Sequence, residues 1–178
     1  MKTALAIIAT LVALPAAAHP EMGAGAAFAS GFVHPFTGVD HLLGMLAIGL
    51  WSAQQRQSLS VTMMLLATMA VGGLAFGGAA MPLAAELALA AGVALIGARV
   101  AVGGGAFAGA TTMLVAGFVL LHGQAHSAGL PGAASAAGYV LSSGLLIMAG
   151  RLCQFERLRR MAGVAIGLTG LSLLARLV

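Results

Sequence analysis

The sequence predicts an all-α integral membrane protein in which a cleavable signal peptide precedes about six transmembrane helices. Of its 178 residues, 61% are hydrophobic and only 7% are charged, whereas soluble domains have about 25% charged residues. The mean hydropathy is +1.06, and apolar runs extend from one end of the chain to the other. Because a transmembrane helix needs about 20 mostly apolar residues, the chain has room for several spans but not for a separate soluble domain.

The first 18 residues have the features of a secretory signal peptide. A lysine precedes a short apolar run that ends at Pro15, and small residues lead up to Ala18. A retained first helix is the alternative, but the run is short and Pro15 interrupts it. Cleavage after Ala18 would leave one membrane domain, 19–178, after the signal peptide, 1–18. His19 would become the N-terminus, where the α-amine and the imidazole could chelate a metal ion together.

Six hydrophobic segments follow, and each is predicted to form a transmembrane helix. They cover residues 35–53, 59–79, 83–101, 105–124, 134–154 and 159–177. The segment Gly23–Val33 is too short to cross and is expected to form a partial helix against the outer surface.

The 26 glycines indicate glycine-rich helix packing, since Gly-x-x-x-Gly pairs let helix backbones approach closely in lipid. These pairs are Gly73 and Gly77, Gly105 and Gly109, and Gly163 and Gly167. They could join the spans of one chain or the copies of a homo-oligomer.

The arginines predict the orientation of the spans. Loops with arginine alternate with loops that lack basic residues, and positively charged loops face the cytoplasm. The arginines assigned to the inner side are Arg56, Arg99, Arg151, Arg157, Arg159 and Arg160, whereas Arg176 falls outside. We therefore expect a multi-pass protein of a bacterial inner membrane with both mature ends in the periplasm. Basic residues scattered in this way form no basic face, which argues against a nucleic-acid partner.

The first predicted span begins with a polar motif, His-Pro-Phe-Thr-Gly-Val-Asp-His, from His34 to His41. Ionisable residues are costly inside a bilayer and therefore indicate function. Pro35 suits the first turn of a helix, and in a regular helix His34, His41 and Met45 would share one face. Asp40 could bind a metal or fix the tautomer of a histidine. The alternative is that one histidine merely caps or hydrogen-bonds a neighbouring helix.

A second polar motif, His-Gly-Gln-Ala-His, ends the fourth predicted span. Its spacing of four places His122 and His126 on one helical face, where both could hold one metal ion. The topology puts Glu86 in the same outer layer, as a further ligand, a proton acceptor or an interfacial cap. All five histidines thus fall in the outer half, which indicates a transition-metal site. Imidazole and carboxylate ligands suit nickel, cobalt, zinc, iron or copper.

With these two motifs the chain resembles the HupE/UreJ family of hydrogenase- and urease-associated nickel permeases. The resemblance covers nearly the whole length, and its specific marks are His-Pro-x-x-Gly-x-Asp-His and His-Gly-x-Ala-His. It implies uptake of nickel for metalloenzyme assembly, with the metal as transported substrate and no permanently bound cofactor. It also implies a metal path lined by His34, Asp40, His41, His122 and His126. Many members have a histidine at the position of Gln124 and an acidic residue near Gly129. The resemblance therefore indicates the family more specifically than it indicates the transported metal.

Two other functions fit the same residues. Some multi-span hydrolases hold zinc with three histidines and an aspartate, and Ser30 or Ser127 could assist, although neither lies in a nucleophile motif. Alternatively, His41 together with His122 or His126 could bind haem in a membrane anchor. No glycine-rich segment carries the lysine and hydroxyl residue of a phosphate-binding loop, so direct use of ATP is not expected.

Signal cleavage gives the first testable prediction. We expect the purified protein to begin at His19, because three alanines provide the small residues that precede a cleavage site. Intact mass or N-terminal sequencing measures this directly. A purified chain that retains Met1 would contradict the prediction.

Overall fold

The computed structural model describes residues 23–76, 81–103, 108–127 and 132–178. Within these ranges the chain forms seven α-helices and no strand. In chain order the helices are α1 (Ala24–Thr37), α2 (Val39–Gln54), α3 (Leu59–Phe76), α4 (Leu83–Val102), α5 (Ala108–Ser127), α6 (Gly132–Arg151) and α7 (Glu156–Ala175). The predicted signal peptide, 1–18, lies outside the described residues.

The helices confirm the predicted all-α membrane fold. Four of them, α4 to α7, are long and apolar enough to cross a membrane, and α1 with α2 passes the same test as one span bent by 80°. The apolar part of α3, Leu59–Ala75, is shorter. By length and composition the described part of the chain therefore has four candidate spans, or five if the bent pair is one span. Outward-facing side chains such as Leu74 (85% exposed) and Met113 (73% exposed) are suited to contact with lipid.

The first predicted span is interrupted at Gly38, which corrects the prediction of one helix over 35–53. Gly38 has φ −92° and ψ 119°, an extended conformation that ends α1 and begins α2. Pro35 was expected in a first helical turn but lies in the last turn of α1, where its ring removes a helical N–H donor. The hydroxyl of Thr37 donates to the carbonyl oxygen of His34 at 2.8 Å, which satisfies an acceptor at the end of the helix.

The helix α1 includes the predicted partial helix, Gly23–Val33, except for Gly23, which caps it, and packs against α6. A Cβ on Gly31 would collide with the backbone of Ser135, and a Cβ on Gly138 would collide with the backbone of Phe28. These contacts run in opposite directions along the two helices, so α1 and α6 are antiparallel. The segment is therefore packed into the bundle, with a glycine from each helix at the closest approach.

The other helices also pack in pairs at glycines. The helix α2 lies along the later part of α6, where a Cβ on Gly150 would lie 2.9 Å from the backbone nitrogen of Leu50. The helix α3 packs on α5, where a Cβ on Gly123 would collide with the backbone of Met69. Both halves of the bent span thus rest on α6, which fixes their relative position.

The contact between α4 and α7 includes the predicted pair of Gly163 and Gly167. A Cβ on Gly163 would lie 2.5 Å from the backbone nitrogen of Ala101, whereas a Cβ on Gly167 would have its nearest neighbour at 3.4 Å. Space for a side chain is therefore missing at the first glycine and present at the second. The other two predicted pairs each have a member outside the described residues, Gly77 and Gly105.

Polar side chains lie at the two ends of the bundle, with an apolar core between them that includes the fully buried Trp51. At one end, Arg151 donates to the carbonyl oxygen of Gln57 at 2.8 Å, and Gln54 donates to that of Val100 at 3.1 Å. The opposite end holds His34, Asp40, His41, Glu86, His122, His126 and Arg176. This segregation agrees with alternating spans, while the side of the membrane that each end faces stays a prediction.

The glycines of α7 give a matched pair of substitutions. Alanine is more favourable than glycine in a helix by about 1 kcal/mol, so Gly167→Ala is expected to keep or slightly raise stability. Gly163→Ala should lower the free energy of unfolding by about 1–3 kcal/mol, because the backbone of α4 must move. Thermal or denaturant unfolding in detergent measures both variants, and equal stability of the two would contradict this packing.

Candidate metal centre

Three imidazoles form the centre of the polar end. His41 lies in the first turn of α2, and His122 and His126 lie on successive turns at the end of α5. One ring nitrogen from each can be chosen so that all three lie within 4.8 Å of one another. Two of the histidines, His41 and His122, are fully buried, and the third is half-buried. The expected placement of His122 and His126 on one face, next to the first motif, is therefore found in the structure.

The fourth histidine, His34, touches this group from the end of α1. Its Nε2 atom lies 2.7 Å from Nδ1 of His126, so one of the two rings donates a hydrogen bond to the other. The bend at Gly38 makes the contact possible, because it turns α1 away from α2 by 80°. The expectation that His34, His41 and Met45 share one helical face is wrong for His34 for the same reason.

Asp40 lies between the buried rings and a cavity. Its Oδ2 atom is 3.9 Å from Nε2 of His122, and its side chain is 36% exposed. Asp40 also lines a cavity of about 290 Å³ together with Glu86 and Arg176. Glu86 lies in the first turn of α4, where the positive end of the helix dipole favours a carboxylate. The two carboxylates therefore share one cavity, and Asp40 connects that cavity to the imidazoles.

Several nitrogens of the site have no hydrogen-bond partner within the described part of the chain. They are Nδ1 and Nε2 of His122 and Nε2 of His126. A buried polar atom without a partner costs about 1–3 kcal/mol, so a structural role alone does not account for them. Neutral imidazole nitrogens are ligands for transition metals. A metal ion bound by the three histidines would engage the lone pairs that the protein leaves unused.

Two further predicted ligands are not part of this group. Met45 is fully buried in the apolar core, one turn after His41, and its thioether stays a predicted ligand. His19 lies outside the described residues, as does Gly129.

Two residues of α6 were missed by the sequence analysis. The hydroxyl oxygen of Ser143 is 2.9 Å from Nε2 of His41. The hydroxyl of Tyr139 is 3.3 Å from Nδ1 of His41 and 3.3 Å from the carbonyl oxygen of His122. A signal was present, because Tyr139 is the one tyrosine of the sequence and Ser143 belongs to a serine pair in an apolar span. Polar side chains in such spans usually face other helices.

Comparison with known proteins identifies the family of the chain. A family model described as HupE / UreJ protein matches residues 7–173. The chain belongs to the HupE/UreJ family. It is also 33% identical over 133 residues to Protein HupE of Rhizobium leguminosarum bv. viciae. The aligned region covers 72% of this chain and 69% of that protein. No solved structure matches the chain significantly.

Membership in the HupE/UreJ family bears on the alternative functions. The family is associated with nickel and cobalt transport and is a transporter family rather than an enzyme family. This argues against the zinc-dependent hydrolase. The rings of His41 and His122 contact each other directly, with centroids 4.6 Å apart, which leaves no room for a porphyrin between them. The described geometry therefore disfavours these two residues as axial haem ligands.

His122→Phe separates the stability of the fold from metal binding. The ring of His122 packs on Phe118 with centroids 4.6 Å apart, so phenylalanine keeps the shape and removes two unpartnered nitrogens. Without metal, the variant should unfold at the same or a higher temperature than the wild type. Nickel or cobalt at 100 times the Kd should stabilise the wild type by about 2.7 kcal/mol and leave the variant unchanged.

Ser52→Ala is the control for this experiment. Ser52 is fully buried, and its hydroxyl also has no partner among the described residues, but it lies near the opposite end of α2 from His41, about 16 Å along the helix. This variant should keep the full stabilisation by metal. Metal-dependent melting in detergent measures all three proteins, and stabilisation retained by His122→Phe would rule out the proposed ligand set.

Proposed function

We propose that this protein is a secondary, ATP-independent permease for a transition-metal cation, with nickel as the preferred substrate. The observation that supports this most directly is the group formed by His41, His122 and His126 at one end of an apolar bundle. Ionisable side chains inside a membrane protein mark the path of an ion or substrate. His34 and Asp40 complete the proposed path, and Met45 and Glu86 are proposed additional ligands.

The type of ligand supports a transition metal over magnesium or calcium. Three imidazoles suit nickel, cobalt, zinc, iron or copper(II), whereas magnesium and calcium require mainly oxygen ligands. The preference for nickel rests on the resemblance of the two histidine motifs to the HupE/UreJ pattern. On the same basis we propose that the metal supplies the maturation of a hydrogenase or urease.

The cavity at the polar end is the proposed route by which the metal reaches the imidazoles. Asp40 and Glu86 line it, and two carboxylates in a confined space raise the local concentration of a cation. Arg176 lines the same cavity and balances part of this charge. A divalent ion would lose water stepwise as it passes from the carboxylates to the buried rings.

The arginines indicate the orientation of the protein in the membrane, and the charge of the metal ion provides a driving force for its uptake. The arginines at the opposite end favour a cytoplasmic location for that end, so the histidine end would face the periplasm of an inner membrane. Each charge that crosses the membrane gains about 2.3 kcal/mol per 100 mV. A divalent cation would gain about 4.6 kcal/mol, equivalent to an accumulation of roughly 10³-fold. The membrane potential alone could therefore drive uptake.

Metal uptake by cells tests the proposal. Asp40→Ala and His41→Ala should each reduce the accumulation of radioactive nickel by at least about 10-fold, since ligands and their close partners contribute about 10–100-fold to metal affinity or activity. Membrane insertion of each variant is measured in parallel by immunoblotting of the membrane fraction. Unchanged uptake by an inserted variant would contradict the proposal.

Glu156→Gln is the matched control for Asp40. Glu156 is an exposed carboxylate that pairs with Arg160, in the first turn of α7, at the end away from the histidines. We expect normal uptake from this variant. Elemental analysis of the purified wild type, after incubation with a mixture of divalent metals, identifies the preferred ion. Exclusive retention of zinc, together with hydrolysis of a lipid amide, would instead favour the hydrolase.

A further inference from the structure

A hydrogen-bond chain on α6 lies directly behind His41. We propose that Ser143 is a positioning residue that holds His41 in the tautomer protonated at Nε2, so that the metal binds through Nδ1. The inference rests on the proposed function, since it names the atom of the site that meets the metal. Second-shell partners of this kind fix the ring orientation and tautomer of metal-binding histidines.

The hydroxyl of Ser143 determines the tautomer. It donates to the carbonyl oxygen of Tyr139, one turn earlier on α6, at 2.7 Å. A serine hydroxyl has one proton, so its oxygen can only accept from Nε2 of His41, 2.9 Å away. His41 and Ser143 are both fully buried, and bulk water cannot replace this contact. A neutral imidazole with its proton on Nε2 has a free lone pair on Nδ1.

The hydroxyl of Tyr139 lies beside that lone pair. It is 3.3 Å from Nδ1 of His41 and also 3.3 Å from the carbonyl oxygen of His122. The phenol has one proton to donate. Without metal it can donate to Nδ1, and with metal on Nδ1 it can donate to the carbonyl oxygen. Tyr139 can thus release the ligand atom without leaving its own buried hydroxyl unpaired.

The opposite tautomer would remove His41 from the site. Ser143 would then donate to Nε2, and Nδ1–H would donate to the oxygen of Tyr139, which would occupy both nitrogens of the ring. Two observations favour the first arrangement. The hydroxyl oxygen of Ser143 lies 2.7 Å from the carbonyl oxygen of Tyr139, and only the serine can supply the proton that two oxygens at this distance need between them. In addition, His41 lies within the three-histidine group.

Nitrogen-15 NMR of the full-length protein in detergent, labelled at histidine, tests the inference. The signals of His41 are assigned by their loss in His41→Ala. In the metal-free wild type we expect Nε2 to carry the proton. After addition of Zn²⁺, a diamagnetic probe, the metal-induced shift should appear at Nδ1. Ser143→Ala should lose the single tautomer and bind Zn²⁺ about 10–100-fold more weakly.

The neighbouring serine provides the control. Ser142 is also fully buried, and its one hydroxyl proton is shared between the backbone carbonyl oxygens of Gly138 and Tyr139, 3.0 and 3.1 Å away. Ser142→Ala therefore removes an equivalent hydroxyl and should keep the wild-type tautomer and Zn²⁺ affinity. Ser143→Thr, which retains a hydroxyl, should restore the tautomer that Ser143→Ala loses.

The outcomes separate this inference from the proposed function. A proton on Nδ1 of His41 in the metal-free wild type, or Zn²⁺ bound through Nε2, would overturn the role of Ser143 even if the protein transports nickel. Equal Zn²⁺ affinity of Ser143→Ala and Ser142→Ala would do the same. Absence of metal binding and transport in the wild type would overturn the proposed function, whereas the tautomer of the metal-free protein would still decide the role of Ser143.

Discussion

The interruption of the first span at Gly38 determines where the polar side chains of the site lie. In an unbroken helix, His34 and His41 would be about 10.5 Å apart along the axis and would face one direction. The 80° bend instead brings His34 against His126 and His41 against His122. Irregular backbone at membrane depth is tolerated only where it is buried in protein or lines a polar cavity. At this break the exposed hydroxyl of Thr37 satisfies the carbonyl oxygen of His34, and Asp40, two residues after Gly38, lines a cavity.

The helix α6 supports both halves of this bent span. Gly138 and Gly150 allow the backbones of α1 and α2 to approach it closely. Tyr139 and Ser143 lie between the two glycines, so the contacts that fix the packing also place both hydroxyls beside His41. Because lipid supplies no hydrophobic force between helices, such close contacts supply much of the packing energy. The geometry of the imidazoles consequently depends on small residues that bind no metal.

The features that were predictable from sequence depend on local rules. Helix periodicity and hydropathy located the helices, and the spacing of four put His122 and His126 on one face. The alternation of spans put Glu86 at the same end. The break at Gly38 was missed because a proline fits the first turn of a helix by its shape, whereas its place in the last turn of α1 depends on packing against α6. The contact of Ser143 with His41 spans 102 positions, and no local pattern encodes it.

The incomplete pairing of the histidines suits transport better than permanent binding. His41 has a hydrogen-bond partner near each nitrogen, whereas neither nitrogen of His122 has a hydrogen-bond partner among the described residues. Hydrogen bonds to both nitrogens would stabilise a purely structural imidazole. Their absence at His122 therefore lowers the stability of the folded protein. Conduction requires binding that is favourable enough to admit the ion and weak enough to release it. A site with one hydrogen-bonded ring, one ring without hydrogen-bond partners and a partly exposed carboxylate can meet both conditions, since under the proposed function the first ring would orient the metal and the other groups would exchange it.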